Sequence, residues 1–141
     1  MINKLVFLTK ESPALWRVTL NNPPVNIFGP KTIPQLNEII SEIESDEQLK
    51  VVVFDSAIDG FFQTHYDFLS AAEETTSLPP GPTGLLPLPD MLVRLSRAPV
   101  VSIAKIRGRA TGNLKSRDSS KQRTKGRRRT TRDRHKIAPP A

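Results

Sequence analysis

The residues of this chain that could do chemistry lie in three places. The first is Phe61-Phe62-Gln63-Thr64-His65-Tyr66-Asp67-Phe68, where large apolar groups alternate with polar ones. His65 reads either as an acid–base group or as a packed or partly exposed loop residue. On composition alone, Phe62, Tyr66 and Phe68 read as core residues under a loop. The second is the glycine-bearing run Gly108-Arg109-Ala110-Thr111-Gly112-Asn113. The third is the C-terminal stretch with Arg127-Arg128-Arg129, whose charge could contact nucleic acid or another anionic surface. That stretch has no aromatic residue to stack bases and no helical spacing of its basic groups. Any nucleic-acid binding would therefore be non-specific and salt-sensitive. His135 has no ligand set near it in sequence and reads as solvated. The chain has no Cys, which excludes a disulfide scaffold and thiolate chemistry.

The elements around these residues follow from pattern. Val51-Val52-Val53-Phe54 is a short apolar run, the signature of a strand covered on both faces. It ends at Asp55-Ser56, and Asp59-Gly60 marks a turn before Phe61. Upstream, Leu5–Leu8 reads as a strand. Ala14–Leu20 alternates, with Ala14, Trp16, Val18 and Leu20 on one face, which predicts a half-buried antiparallel pair. Pro23-Pro24 stops that ladder, because proline has no N–H to donate. Ile33, Leu36, Ile39, Ile40 and Ile43 recur at helical spacing, with Pro34 in an early helical position. Leu69–Glu74 predicts a short helix. Thr75–Pro89 is rich in Pro and Gly and predicts a loop. Leu88–Ser96 predicts a second helix, with Met91, Leu92 and Leu95 on one side. Val100–Ile106 predicts another strand leading to Gly108.

At 141 residues the chain can hold one domain with a modest core. No apolar run approaches the roughly 18–20 residues of a membrane span. Lys10, Glu11 and Pro13 interrupt any signal-like start. The net charge of +7 is unevenly placed. Residues 1–113 hold 10 Lys/Arg against 12 Asp/Glu, a balance of −2, whereas residues 114–141 hold 11 against 2, a balance of +9. That shift sets a compositional boundary near Asn113.

Four stretches carry a family resemblance. Leu20-Asn21-Asn22-Pro23-Pro24-Val25-Asn26 is similar to L-N-(R/N)-P-x-x-N. Phe62–Phe68 is similar to F-x-A-G-A-D-(L/I), with Phe62 and Asp67 matching and Thr64, His65 and Tyr66 standing where Ala-Gly-Ala is usual. Ala98–Gly108 is similar to K-P-(V/T)-I-A-A-V-x-G, and Gly108–Asn113 to the start of G-x-A-x-G-G-G. Together with the order hairpin, helix, strand, these stretches resemble the enoyl-CoA hydratase/isomerase (crotonase) superfamily.

The resemblance implies an α/β fold, the N-terminal part of a crotonase-like (ClpP/crotonase) spiral of ββα units. It spans residues 1–113, and a disordered basic tail is expected over 114–141. It implies action on acyl-CoA thioesters, with two backbone N–H groups stabilising the enolate oxygen. One such donor is typically worth about 2.7–4 kcal/mol. Tyr66 stands at the first donor position, and Asn113, or alternatively Gly112, at the second. Asn26, Thr64, His65 and Asp67 would border the CoA cleft. The resemblance implies no metal and no cofactor, with coenzyme A entering only as part of the substrate. It implies a trimeric or hexameric homo-oligomer, and a cytoplasmic, mitochondrial or peroxisomal location. The Thr75–Pro89 loop would correspond to a segment that shapes acyl-chain selectivity, or serve as a linker.

The resemblance stops after Asn113. Hydratases of the family use two glutamates from the later part of the fold, but no Glu follows Glu74 here. Leu114 and Ile137 are nearly the only large aliphatics of the tail, so it cannot supply the next helix. The expectation is weak or absent hydratase turnover, since an acid–base group contributes typically about 10²–10⁴-fold. An interrupted reading frame would produce this pattern; a genuine basic arm that binds anions is the alternative. Apolar surface normally covered by later helices would be left open, predicting marginal stability or dependence on a partner.

Overall fold

β-Branched and aromatic residues alternating with polar ones place Trp16, Val18 and Leu20 on one buried face of β2 (Leu15–Leu20). β2 pairs antiparallel with β1 (Val6–Ser12), whose register shifts between Lys10 and Ser12. Ala14, expected on the same face as Trp16, is exposed in the turn before β2. The computed structural model describes residues 3–67, 69–70 and 72–111. Gly112, Asn113 and the whole 114–141 stretch therefore lie outside the described residues.

β2 next pairs in parallel with β3 (Val51–Ser56), and β3 in parallel with β5 (Val101–Ala104), giving the strand order β1-β2-β3-β5. Parallel neighbours need a crossover, usually helical. α1 (Thr32–Ser45) supplies the first, and the second contains α2 (Ala72–Thr76) and α3 (Pro87–Arg97). After β3 and after β5 the chain leaves the sheet and forms β4 (Phe61–Gln63) and β6 (Arg109–Ala110), which pair in parallel as a second, two-stranded sheet.

The isoleucines of α1 serve two cores. Ile39 and Ile43 join Val6, Trp16, Val18, Leu20, Leu49 and Val52 against the sheet. Ile33 and Ile40 join Phe28 and Met91, with Tyr66, Leu78, Leu88 and Leu95 around them. Full burial of such a side chain is worth about 1.5–3 kcal/mol. Asp46 ends α1: its Oδ1 accepts the N–H groups of Gln48 and Leu49 at 2.9 and 2.8 Å, turning the chain into β3.

Three expectations need correction. β3 is not covered on both faces: Val52 is fully enclosed against α1, whereas Val51 and Val53 on the opposite face are half-buried. The first short helix begins later than Leu69. The Asp67 carboxylate takes the Leu69 and Ser70 N–H groups and the Ser70 hydroxyl, holding them in a turn, and the helix forms only over Ala72–Thr76. In α3, Leu92 does not face the core with Met91 and Leu95 but is 60% exposed. Its expected place is taken by Asp90 and Arg94, which form an i,i+4 ion pair at 3.2 Å. Arg94 also reaches Glu44, Asn37 and Ser41 on α1. A buried charge is tolerated when paired and fully hydrogen-bonded. Val101, Ile103 and Ile106 are exposed, the open apolar surface expected of this part of the fold. Among the described residues, no helix is long and apolar enough to cross a membrane.

Candidate functional site

The loop from Asn21 to Gly29 is stitched to the segment after β4. Asn26 sits at φ +55°, in the left-handed region that Asn tolerates better than most residues. It is 3% exposed. Its side-chain N–H groups donate to Ser56 Oγ at 2.6 Å and to the Phe62 carbonyl at 3.0 Å, and its Oδ1 accepts the Asn22 N–H at 2.7 Å. Its backbone carbonyl accepts the Thr64 N–H at 3.2 Å. Thr64 is buried, and its hydroxyl donates to the Val25 carbonyl at 2.9 Å. Asn26 and Thr64 thus hold the loop and the segment together, with their side chains turned into the protein.

The pairing continues one step further. The Phe28 N–H donates to the His65 carbonyl at 3.3 Å, and the Asp67 N–H donates to the Phe28 carbonyl at 2.8 Å. Phe28 and Tyr66 form the parallel bridge between them. In such a bridge the backbone groups of His65 and Asp67 point toward Phe28, so those of Tyr66 point away. Among the described residues, the Tyr66 N–H has no acceptor. The Tyr66 carbonyl accepts the His65 Nδ1–H at 2.7 Å. A carbonyl can only accept, so this contact places the imidazole proton on Nδ1. The Tyr66 ring packs against Phe28 at 6.4 Å, and its hydroxyl is 2.9 Å from Thr75 Oγ1. Tyr66 is therefore held on both sides: Phe28 bonds the backbone of its two neighbours, and the second core and α2 hold its side chain.

Asp67 is committed locally. Ser70 Oγ donates to its Oδ2 at 2.7 Å, and the Leu69 and Ser70 N–H groups donate to Oδ1. The Ser70 hydroxyl first, then the Leu69 N–H, hold its carboxyl below the usual range despite some burial.

β6 comes alongside β4 from the other direction. The Arg109 N–H donates to the Gly60 carbonyl and the Thr111 N–H to the Gln63 carbonyl, both at 2.9 Å. Gly108 lies so close to the Gly60 backbone that a Cβ would collide with it. A cleft of about 300 Å³ results, lined by Val25, Phe61, Thr64, His65, Arg109 and Thr111. A larger groove of about 740 Å³ runs beside the start of α1, past Lys31, Glu38, Asp67 and Glu74, but His65 does not line it. The smaller cleft is the better candidate, because the segments after β4 and around β6 converge there. The structure thus brings Thr64 and His65 into one cleft, while Tyr66 follows His65 without lining it, Asn26 is buried and Asp67 lines the larger groove.

Sequence reasoning missed Asp55 and its partners. Asp55, next to last in β3, is buried, yet it accepts Arg17 on one oxygen and Arg107 on the other, each at 2.9 Å. Burial pushes its carboxyl up, but the Arg107 hydrogen bond, the Ser56 N–H, the Arg107 charge and the Arg17 hydrogen bond outweigh it, and the net shift is downward. The available signal was an acid directly after an apolar strand, with an Arg directly before Gly108. The reading of residues 114–141 as a nucleic-acid arm finds no support in the described residues.

Comparison with known proteins agrees with this architecture. The family model for enoyl-CoA hydratase/isomerase matches residues 10–113. A candidate enoyl-CoA hydratase from Streptomyces avermitilis superposes with a TM-score of 0.66 at 23% identity, over 76% of this chain and 40% of that one. An enoyl-CoA hydratase from Geobacillus kaustophilus gives 0.62 at 20% identity, over 75% and 39%. An enoyl-CoA hydratase/isomerase from Marinobacter aquaeolei gives 0.56 at 27% identity, over 71% and 40%. The chain therefore spans about 40% of the length of these structures. No curated protein sequence matches it. The fold is mixed α/β and corresponds to the N-terminal part of the crotonase-like fold. By its sequence match over residues 10–113, the chain belongs to the enoyl-CoA hydratase/isomerase family.

Proposed function

We propose that this chain carries the first half of an acyl-CoA thioester site, in which the Tyr66 backbone N–H stabilises the enolate oxygen. The observation that supports this reading most is the Phe28–Tyr66 bridge. It uses the backbone groups on either side of Tyr66 and leaves the Tyr66 N–H without an acceptor among the described residues. An N–H held this way is preorganised, so it need not be reoriented when charge develops on a thioester oxygen. The second donor would come from Gly112 or Asn113, directly after Thr111, whose N–H is tied to the Gln63 carbonyl. The 300 Å³ cleft would receive the pantetheine end of the substrate past Thr64 and His65. Hydration also needs groups that hold and release protons, and Asp67, the nearest acid in sequence, is engaged by Ser70 and Leu69. We therefore expect enolate stabilisation to exceed hydratase turnover.

The test is titration of the full chain with acetoacetyl-CoA. Its enolate absorbs at longer wavelength than the keto form, so a donor pair should raise the enolate band at a pH where free acetoacetyl-CoA shows little. Binding without any enolate band, or no binding, would remove this reading.

A further inference from the structure

The chain turns the same corner twice. After β3 it leaves the main sheet through residues 57–60 and enters β4. After β5 it leaves through residues 105–108 and enters β6. The second corner is pinned at its start, where the Lys105 N–H donates to the Phe54 carbonyl at 2.8 Å, and at its end, where the Arg109 N–H donates to the Gly60 carbonyl at 2.9 Å. Between those pins the described backbone makes no hydrogen bond, and the hold comes from a side chain.

That side chain is Arg107. It is 62% exposed, yet its guanidinium donates to Asp55 Oδ1 at 2.9 Å and to the Ser56 carbonyl at 3.0 Å. Asp55 itself is 8% exposed and also takes Arg17 on its other oxygen, while Arg17 takes Glu11 at 2.6 Å. Glu11, Arg17, Asp55 and Arg107 thus form a balanced row across β1, β2, β3 and the corner. A buried acid needs its full set of partners. Its burial at the end of β3 therefore draws the Arg107 corner down onto the sheet, and Gly108 follows against the Gly60 backbone.

From this we infer that Asp55 is a positioning residue for the thioester site: through Arg107 it fixes the corner that sets residues 109–111 beside the Tyr66 segment. The inference rests on the proposed function for its catalytic meaning but not for its structural content. Asp55 acts on the distance between the two walls of the cleft, not on the substrate itself.

The experiment uses the full chain, as wild type, Arg107→Ala, Arg107→Lys and Asp55→Asn, with two readouts. The first is amide hydrogen exchange at Arg109 and Thr111, with the β1–β2 amides as internal control. The second is the enolate band of bound acetoacetyl-CoA. Arg107→Ala removes an exposed side chain and leaves both cores intact, so its expected effect is local. Exchange at Arg109 and Thr111 should rise at least tenfold with the β1–β2 amides unchanged, the enolate band should fall severalfold, and Arg107→Lys should recover part of both. Unchanged exchange at Arg109 and Thr111 in Arg107→Ala would overturn the positioning role outright. Raised exchange with an undiminished enolate band would show a corner that does not govern the site, which also overturns it. A wild type without any enolate band would instead sink the thioester reading, leaving the exchange result to judge the corner alone.

Discussion

Phe28 faces Tyr66 across a parallel bridge and spends both of its backbone groups on the residues that flank it, His65 and Asp67. Their rings also meet, 6.4 Å apart. One residue thus sets both the direction of the Tyr66 N–H and the wall behind it. Phe28→Ala should cost about 3–5 kcal/mol, the usual range for deleting a buried aromatic ring. Urea unfolding would measure this. The enolate band with acetoacetyl-CoA should weaken more than that of a variant equally destabilised elsewhere in the core.

Asn26 combines a left-handed backbone with a saturated buried amide. Asn26→Ala meets both penalties, the unsatisfied partners at about 1–3 kcal/mol and the left-handed backbone at about 1–2 kcal/mol. Asn26→Gly meets only the first. Gly should therefore be the milder substitution by roughly 1 kcal/mol in urea unfolding, the reverse of the order expected in a helix. Equal losses would mean that the amide alone matters.

Acid should unfold this chain through its bound carboxylates. Asp55, Asp67 and Asp90 are all held below the ordinary carboxyl value of 3.8. For Asp90, burial pushes the carboxyl up, but the Thr83 hydroxyl and N–H and the Arg94 guanidinium prevail. A depressed carboxyl contributes its full stability above pH 3.8, where the unfolded chain is also ionised. As pH falls below 3.8 the unfolded chain binds protons first, and the contribution is lost down to the folded value. The urea midpoint should accordingly be flat with respect to these groups near neutrality and fall steeply below about pH 4. Asp90→Asn should flatten that fall, and an unaltered slope would contradict the assignment.

Three glycines separate space from conformation. Gly108→Ala would drive its methyl into the Gly60 backbone, which cannot yield without moving the corner. Gly81→Ala would meet the Asp90 carboxylate, itself tied to Thr83 and Arg94. Gly60→Ala meets open space but must hold φ +75°, at a cost of about 1–2 kcal/mol. Thermal unfolding should rank Gly108→Ala as the most damaging of the three.

The hairpin, α1 and β3 were legible because each has one dominant period: two for Leu15–Leu20, near 3.6 for Ile33–Ile43, and a bare apolar run for Val51–Phe54. The motif ends Phe62 and Asp67 located the site segment. Periodicity failed at α3, where it counted Leu92 as core and ignored Asp90 and Arg94. Charged residues score as surface one at a time, and only the cross-helix partners Glu44, Asn37 and Ser41 make their burial tolerable. The same blindness hid Asp55, whose two arginines lie 38 and 52 residues away in sequence. The roles of Gly112 and Asn113 rest on their place in the motif, one and two residues past the last described backbone bond.

The two sheets grow in step: β3 and β5 extend one, β4 and β6 the other. Thr64 and His65 come from one coil of the chain and Arg109 and Thr111 from the next, so the cleft is a seam between successive coils. The width of a seam is fixed by the registers on either side of it, not by how much chain wanders off in between. Within that excursion Thr83 holds the Asp90 carboxylate, so changes there act on the packing of α3 and not on the walls of the cleft. The stitching of the seam is set by its own registers, much as a solenoid keeps constant rungs between loops of different length.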